Sequence, residues 1–113
     1  MKKYEFPFSG SGGKGDSWEG IIDAELSEED YARLRASALK GFYGMWEDEE
    51  IKDIYDLIYQ KVIDETLLTE RSSGMIEEHR EDLGLDAATS DHEVIECYLD
   101  EQCCHIHYPY ELS

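Results

Sequence analysis

Strict alternation marks residues 17–26, SWEGIIDAEL. Trp18, Gly20, Ile22, Ala24 and Leu26 fall on one side, and Glu19, Asp23 and Glu25 on the other. That is the period of a half-buried strand. The segment before it, KYEFPF, places Tyr4, Phe6 and Phe8 on one face. Its Pro7 marks it as an edge or irregular strand, because proline cannot donate to a sheet ladder. The Gly/Ser-rich connection between the two predicts an antiparallel hairpin with a long loop.

From residue 27 the period lengthens to that of helices. In LSEEDY, Ser27 can cap a helix, Asp30 can return the bond more weakly than a glutamate would, and Leu26 can pack on Tyr31 as a hydrophobic staple. The first helix is therefore expected from Ser27, with Tyr31, Leu34 and Ala38 inward, a Glu29–Arg33 pair outward, and a stop near Gly41. FYGMWEDEE reads as an aromatic turn leading into a helix over about 48–68, whose core stripe is Ile51, Ile54, Tyr55, Ile58 and Val62. A third helix is expected over roughly 74–83, aligning Ile76, His79 and Leu83 and stopping at Gly84. Ser90 and Glu93 form a second capping box, opening a fourth helix with Val94, Ile95, Tyr98 and Leu99 buried. The terminal CCHIHYPYEL alternates again, with Cys104, Ile106, Tyr108 and Tyr110 on one face.

The predicted order is β-β-α-α-α-α-β, an α+β fold with helices on one face of a small antiparallel sheet of two or three strands. At 113 residues it is read as one domain: a hairpin over 1–26, a helical part over 27–102 and a C-terminal strand over 103–113. No period of 20 to 50 residues suggests a repeat architecture.

Charge changes this picture most. The formal net charge is −18, from 28 acids against 10 lysines and arginines. Residues 1–40 hold 6 basic and 8 acidic groups, whereas residues 41–113 hold 4 and 20. The acid belongs to the second part. Self-repulsion on that scale opposes compaction, and the same charge disfavours direct binding to nucleic acid. The hydrophobic content of 41% is nonetheless too rich for a disordered acidic tail. No apolar run approaches the roughly 20 residues that cross a bilayer, and MKKYEFPF lacks the apolar stretch of a signal peptide, so a cytoplasmic location is expected. Three cysteines, Cys97, Cys103 and Cys104, fit a reducing compartment better than a disulfide framework.

Four motifs invite chemistry. Gly10, Gly12 and Gly15 spell G-x-G-x-x-G around Lys14. A dinucleotide site needs a helix after such a loop, and here a strand follows, while Phe8 and Gly15 stand where a P-loop needs glycine and Ser or Thr. The stretch is read as a hairpin loop. Cys103, His105 and His107 would share a strand face and could converge on a metal, but a strand with one polar face is the simpler account and no cofactor is expected. Asp82, Asp86 and Glu93 imitate a calcium loop, yet Ala87 replaces its required glycine and Gly84 a ligand. His79, on an apolar stripe, is expected to be packed and hydrogen-bonded.

The acidic helix faces remain. Glu49, Asp53, Asp56 and Asp64 lie opposite the core stripe of the second helix; Glu77, Glu78, Glu81 and Asp82 follow on the third, and Glu93, Glu96 and Asp100 on the fourth. Acids four apart on a helix are separated by about 6 Å along its axis, comparable with the phosphate spacing of a nucleic-acid strand. A solvated face serving solubility is the usual meaning of such runs. Against it, few lysines intersperse these faces, and Leu57 and Ile63 fall beside the acidic stripe as prospective apolar contacts. The leading expectation is a non-enzymatic binding protein whose anionic surface occupies the basic nucleic-acid groove of another protein by polyanion mimicry. Phage and mobile-element counter-defence inhibitors such as anti-CRISPR proteins are of this physical type. An immunity or antitoxin protein neutralising a basic toxin, and a metal-binding protein using the Cys/His-rich end, are the alternatives.

Overall fold

The computed structural model describes residues 1–12 and 17–110. Two ten-residue strands, β1 (Lys2–Ser11) and β2 (Ser17–Leu26), pair antiparallel from Lys2–Leu26 to Ser11–Ser17. Four helices follow: α1 (Glu28–Leu39), α2 (Lys52–Ser73), α3 (Ile76–Asp82) and α4 (Asp91–Glu101). A short strand β3 (His105–Ile106) returns to β1, giving the order β2-β1-β3. This is the α+β architecture that the periodicities predict. Among the described residues no helix is long and apolar enough to cross a membrane.

Alternation decides which sheet face is covered. Tyr4, Phe6, Ile22, Ala24 and Leu26 are buried, while Lys3, Glu5, Asp23 and Glu25 point to solvent. Phe8 pairs with Gly20, and a Cβ at Gly20 would stand 2.7 Å from the Phe8 ring. Only glycine lets that ring lie across the neighbouring strand. The inward residues meet Leu34, Met45, Ile54, Ile58, Val62, Val94, Ile95, Leu99 and Ile106 in one core.

Pro7 does not mark an edge. β1 is the central strand, and the proline instead limits what its second neighbour can do. His107 donates its N–H to the Pro7 carbonyl at 2.8 Å. The reciprocal bond of that antiparallel pair needs an N–H that proline lacks, so regular pairing stops at Ile106. The expected strand over 103–113 is thereby cut to two residues. Of the residues expected on one face, Cys104 and Ile106 are buried but Tyr110 is exposed, and residues 111–113 lie outside the described part.

Both predicted caps form. The Ser27 hydroxyl accepts from Asp30 N at 3.1 Å and that of Ser90 from Glu93 N at 3.2 Å. Asp30 does not return its bond to Ser27 in any observed contact; its carboxylate takes Arg33 at 3.3 Å. Asp48 accepts from Glu50 N at 3.0 Å and opens a short 3-10 turn, Glu49–Ile51, so α2 starts four residues later than predicted. It also runs on to Ser73, because the polar TERSS stretch needs no inward apolar residue to continue a helix already anchored by its core stripe. Gly84, at φ 68°, ends the third helix as predicted, with Leu85 N bonded to the Arg80 carbonyl.

Candidate functional site

α2 carries the longest row of surface acids, and its surroundings divide them into two kinds. At its N-terminal end the chain supplies its own cations. Arg33 reaches from α1 to Asp53 at 2.7 Å and also donates to the Glu50 carbonyl. The Glu29–Arg33 pair is replaced by these contacts, since Asp53 offers the guanidinium a two-pronged partner. Lys40 contacts Glu50 at 2.7 Å and Asp48 at 3.3 Å. Asp48 is buried, and the Ser37 hydroxyl, the Glu50 N–H and Lys40 hold its carboxyl below the usual range against the opposing effect of burial. Arg33 likewise depresses Asp53.

Farther along, α2 packs against α4, and their facing sides form a groove of about 460 Å³ lined by Tyr55, Asp56, Tyr59, Gln60, Glu96, Asp100 and Cys104. Three of the predicted carboxylates, Asp56, Glu96 and Asp100, are brought together here from two helices. None pairs with a described lysine or arginine; Glu96 has His92 Nδ1 at 4.0 Å, and Asp100 accepts from the Tyr59 hydroxyl at 3.2 Å. The rings of Tyr55 and Tyr59 lie 6.0 Å apart with planes 26° from parallel. Burial raises the pKa of the Tyr59 hydroxyl, with the nearby Cys104 and Asp100 adding to the shift, so it stays a donor. Burial likewise pushes the Cys104 thiol up to about 11. A second hollow, of about 250 Å³, shares Tyr55 and Asp56 with the groove and carries Glu49, Trp46 and Lys52.

The other predicted residues are placed differently. Asp64, Glu78, Glu81, Asp82 and Glu93 are exposed and unpaired with any described cation, whereas Glu77 contacts Arg80 at 3.4 Å. Leu57 is 53% exposed within the acidic face, as expected, but Ile63 is 0% exposed. Ile63 is therefore core and not a contact residue. α2 is covered by the sheet on one side and by α3 and α4 on another, so its buried arc is wider than the single stripe predicted.

Arg80, whose side chain is largely buried, donates to the Asp86 and Thr89 carbonyls and meets Asp91 at 2.9 Å, tying α3 to α4. Asp86 is occupied as a turn cap, accepting from Ala88 N, Thr89 N and the Thr89 hydroxyl, and so is committed to local structure. His79 is packed as expected, 4.1 Å from the Tyr98 ring centre and 3.1 Å from Glu70.

Cys103 sits at φ 53° just after α4, outside β3, and does not share a strand face with the two histidines. His105 and His107 instead pack on Trp46, at 4.3 and 5.5 Å between ring centres. Among the described residues no group of three His, Cys, Asp or Glu is placed to hold a metal ion. Lys14 and Gly15 of the glycine loop lie outside the described residues, and the element after that loop is a strand, as the reading against a dinucleotide site required.

Tyr55, Tyr59 and Cys104 were not legible as site residues. Tyr55 reads as core stripe, and Tyr59, at i+4 from it, was the one sequence signal that an aromatic strip continues to the edge of the helix. No protein-family model, curated protein or solved structure matches the chain at a significant level.

Proposed function

We propose that the chain is a non-enzymatic binding protein whose anionic α2–α4 surface occupies the basic nucleic-acid groove of another protein. The observation that carries this reading is the pairing pattern. Arg33, Lys40, Arg71 and Arg80 take up carboxylates at the α1–α2 junction and around Asp91, while Glu49, Asp56, Asp64, Glu96 and Asp100 have no described lysine or arginine within ion-pair distance. Carboxylates that served only to stabilise the fold would gain from such partners; these remain free for an external cation.

The net charge of −18 gives a long-range field that steers a basic surface toward the molecule, and displacement of nucleic acid from that surface follows from competition for the same lysines and arginines. A counter-defence inhibitor of phage or mobile-element type, acting on a nuclease complex or repressor, is the biological setting this physics suits.

The test is competition. The chain is immobilised and exposed to lysates of cells carrying or lacking nuclease defence systems. Retained protein should be released both by duplex DNA and by raised salt, and a chain with Asp56, Asp64 and Glu96 changed to lysine should retain none of it. Retention that is indifferent to DNA and survives the triple reversal would overturn the reading.

A further inference from the structure

The α2–α4 groove has features that surface acidity alone does not require. Its walls carry carboxylates on both sides, Asp56 from α2 and Glu96 and Asp100 from α4, around two tyrosine rings. Cys104 lines it while only 6% exposed, and its thiol makes no hydrogen bond among the described residues. The Tyr59 hydroxyl occupies Oδ1 of Asp100 and leaves Oδ2 without a described donor. We propose that this groove is a receptor for a single arginine side chain projecting from the partner, with the guanidinium laid against the tyrosine pair and forked between carboxylates of the two helices. The identity of the partner as a nucleic-acid-binding protein rests on the reading above; the arginine site does not.

Arginine is selected over lysine on three grounds. The guanidinium is planar and stacks on aromatic faces, whereas an ammonium approaches them as a point charge. It presents donors in a fork that matches carboxylates set on opposite walls. It is also the more weakly hydrated cation, so leaving water for a groove lined in part by two aromatic rings and a thiol costs it less. Oxygen-rich clefts of this kind also suggest a metal ion, but among the described residues no group of three metal-binding side chains is suitably placed.

The experiment uses the full chain, isotopically labelled, titrated at low salt with argininamide and, separately, lysinamide, two probes of equal charge. Argininamide should give saturable amide shifts confined to residues 55–60 and 96–104, with lysinamide binding at least about fivefold more weakly. Tyr59→Phe should keep the affinity within about twofold, and Tyr59→Leu should weaken it by about tenfold, because the ring and not the hydroxyl makes the stacking contact. If Tyr59→Leu loses its spectral dispersion, Asp56→Asn with Glu96→Gln takes its place and should produce a comparable loss.

Equal binding of the two probes, or shifts spread over the sheet acids and α3, would overturn the proposal. The outcome separates from that of the competition test. Selective argininamide binding combined with DNA-indifferent partner capture keeps the groove and removes nucleic-acid mimicry, whereas DNA-sensitive capture by a chain that does not discriminate the probes does the reverse.

Discussion

The junction of α1 with α2 and the groove between α2 and α4 both present carboxylates of one helix, yet in the first they are met by the chain's own cations and in the second they are not. At the junction, Arg33 and Lys40 reach carboxylates at 2.7 Å, and the acids there hold the fold together. In the groove, Asp56, Glu96 and Asp100 have tyrosines, a thiol and a histidine as neighbours, and no described lysine or arginine in reach. A carboxylate is structural or available according to whether the tertiary fold brings a cation to it. Composition cannot distinguish the two cases.

The contrast can be broken hardest where the chain neutralises itself. Arg80→Met should destabilise the protein by about 2 kcal/mol, read from the urea midpoint, because Asp91 loses one of its two arginine partners and the Asp86 and Thr89 carbonyls lose a shared donor. A midpoint unchanged by that substitution would mean the paired acids are as dispensable to the fold as the groove acids. Next come the unpaired acids, two in the groove and Asp64 farther along α2. The triple change of Asp56, Asp64 and Glu96 to lysine should leave the urea midpoint within experimental spread while weakening capture of a basic partner by about a hundredfold. Loss of folding in the triple mutant would erase the distinction from the other side.

A smaller effect sharpens the junction by pH. The carboxyl of Asp48 is depressed in the folded chain, so its contribution is complete above the unfolded value of about 3.9 and is lost as the pH falls through the folded value below it. Asp48→Asn should therefore flatten the acid limb of the stability curve below about pH 4 and leave the curve's shape near neutrality alone. An unaltered acid limb would show that the contacts of Asp48 with Ser37, the Glu50 N–H and Lys40 together stabilise nothing.

The smallest expected change lies outside both regions and serves as their control. Burial, with His105 adding to it, lowers the pKa of His107, whose Nε2 sits 2.8 Å from the Ser9 hydroxyl. Its contribution is whole above the unfolded value of about 6.5 and declines as the pH drops through the lower folded value. His107→Gln should remove the part of the stability loss that occurs between neutrality and the acid limb, without altering argininamide binding. A change in argininamide affinity would show that the end of β3, whose Ile106 N–H donates to the Tyr55 hydroxyl at 3.3 Å, transmits the substitution into the groove.

Many residues of the candidate site are legible in the sequence, though not their organisation. The exposure of Leu57 and of the outward acids followed from helical period, because a residue opposite a continuous apolar stripe has little choice but solvent. Ile63 escapes that logic: a helix packed on two sides hides more of its circumference than one stripe predicts, and the second layer comes from α3 and α4, which begin only at Ile76 and Asp91. Asp53 looked equivalent to Asp56 and is not, since Arg33 arrives from another helix. Tyr55 of the groove reads as core because an aromatic at helical spacing carries the same signature whether it is covered by a neighbour or flanks a cleft.

What the sequence determined alone was everything local or periodic: two alternating strands, Ser27 and Ser90 as caps, Gly84 as a stop, the inward stripes, and the concentration of negative charge after residue 40. These depend on interactions within a few residues, where spacing dictates geometry. Tertiary structure alone decided that Pro7 would sit in a central strand and cut β3 short, that four cations would gather certain acids and leave others, and that Asp56, Glu96 and Asp100 would face one another. Those outcomes depend on which distant segments meet, and Coulomb energies are set by the final separation of charges, a quantity no one-dimensional pattern contains.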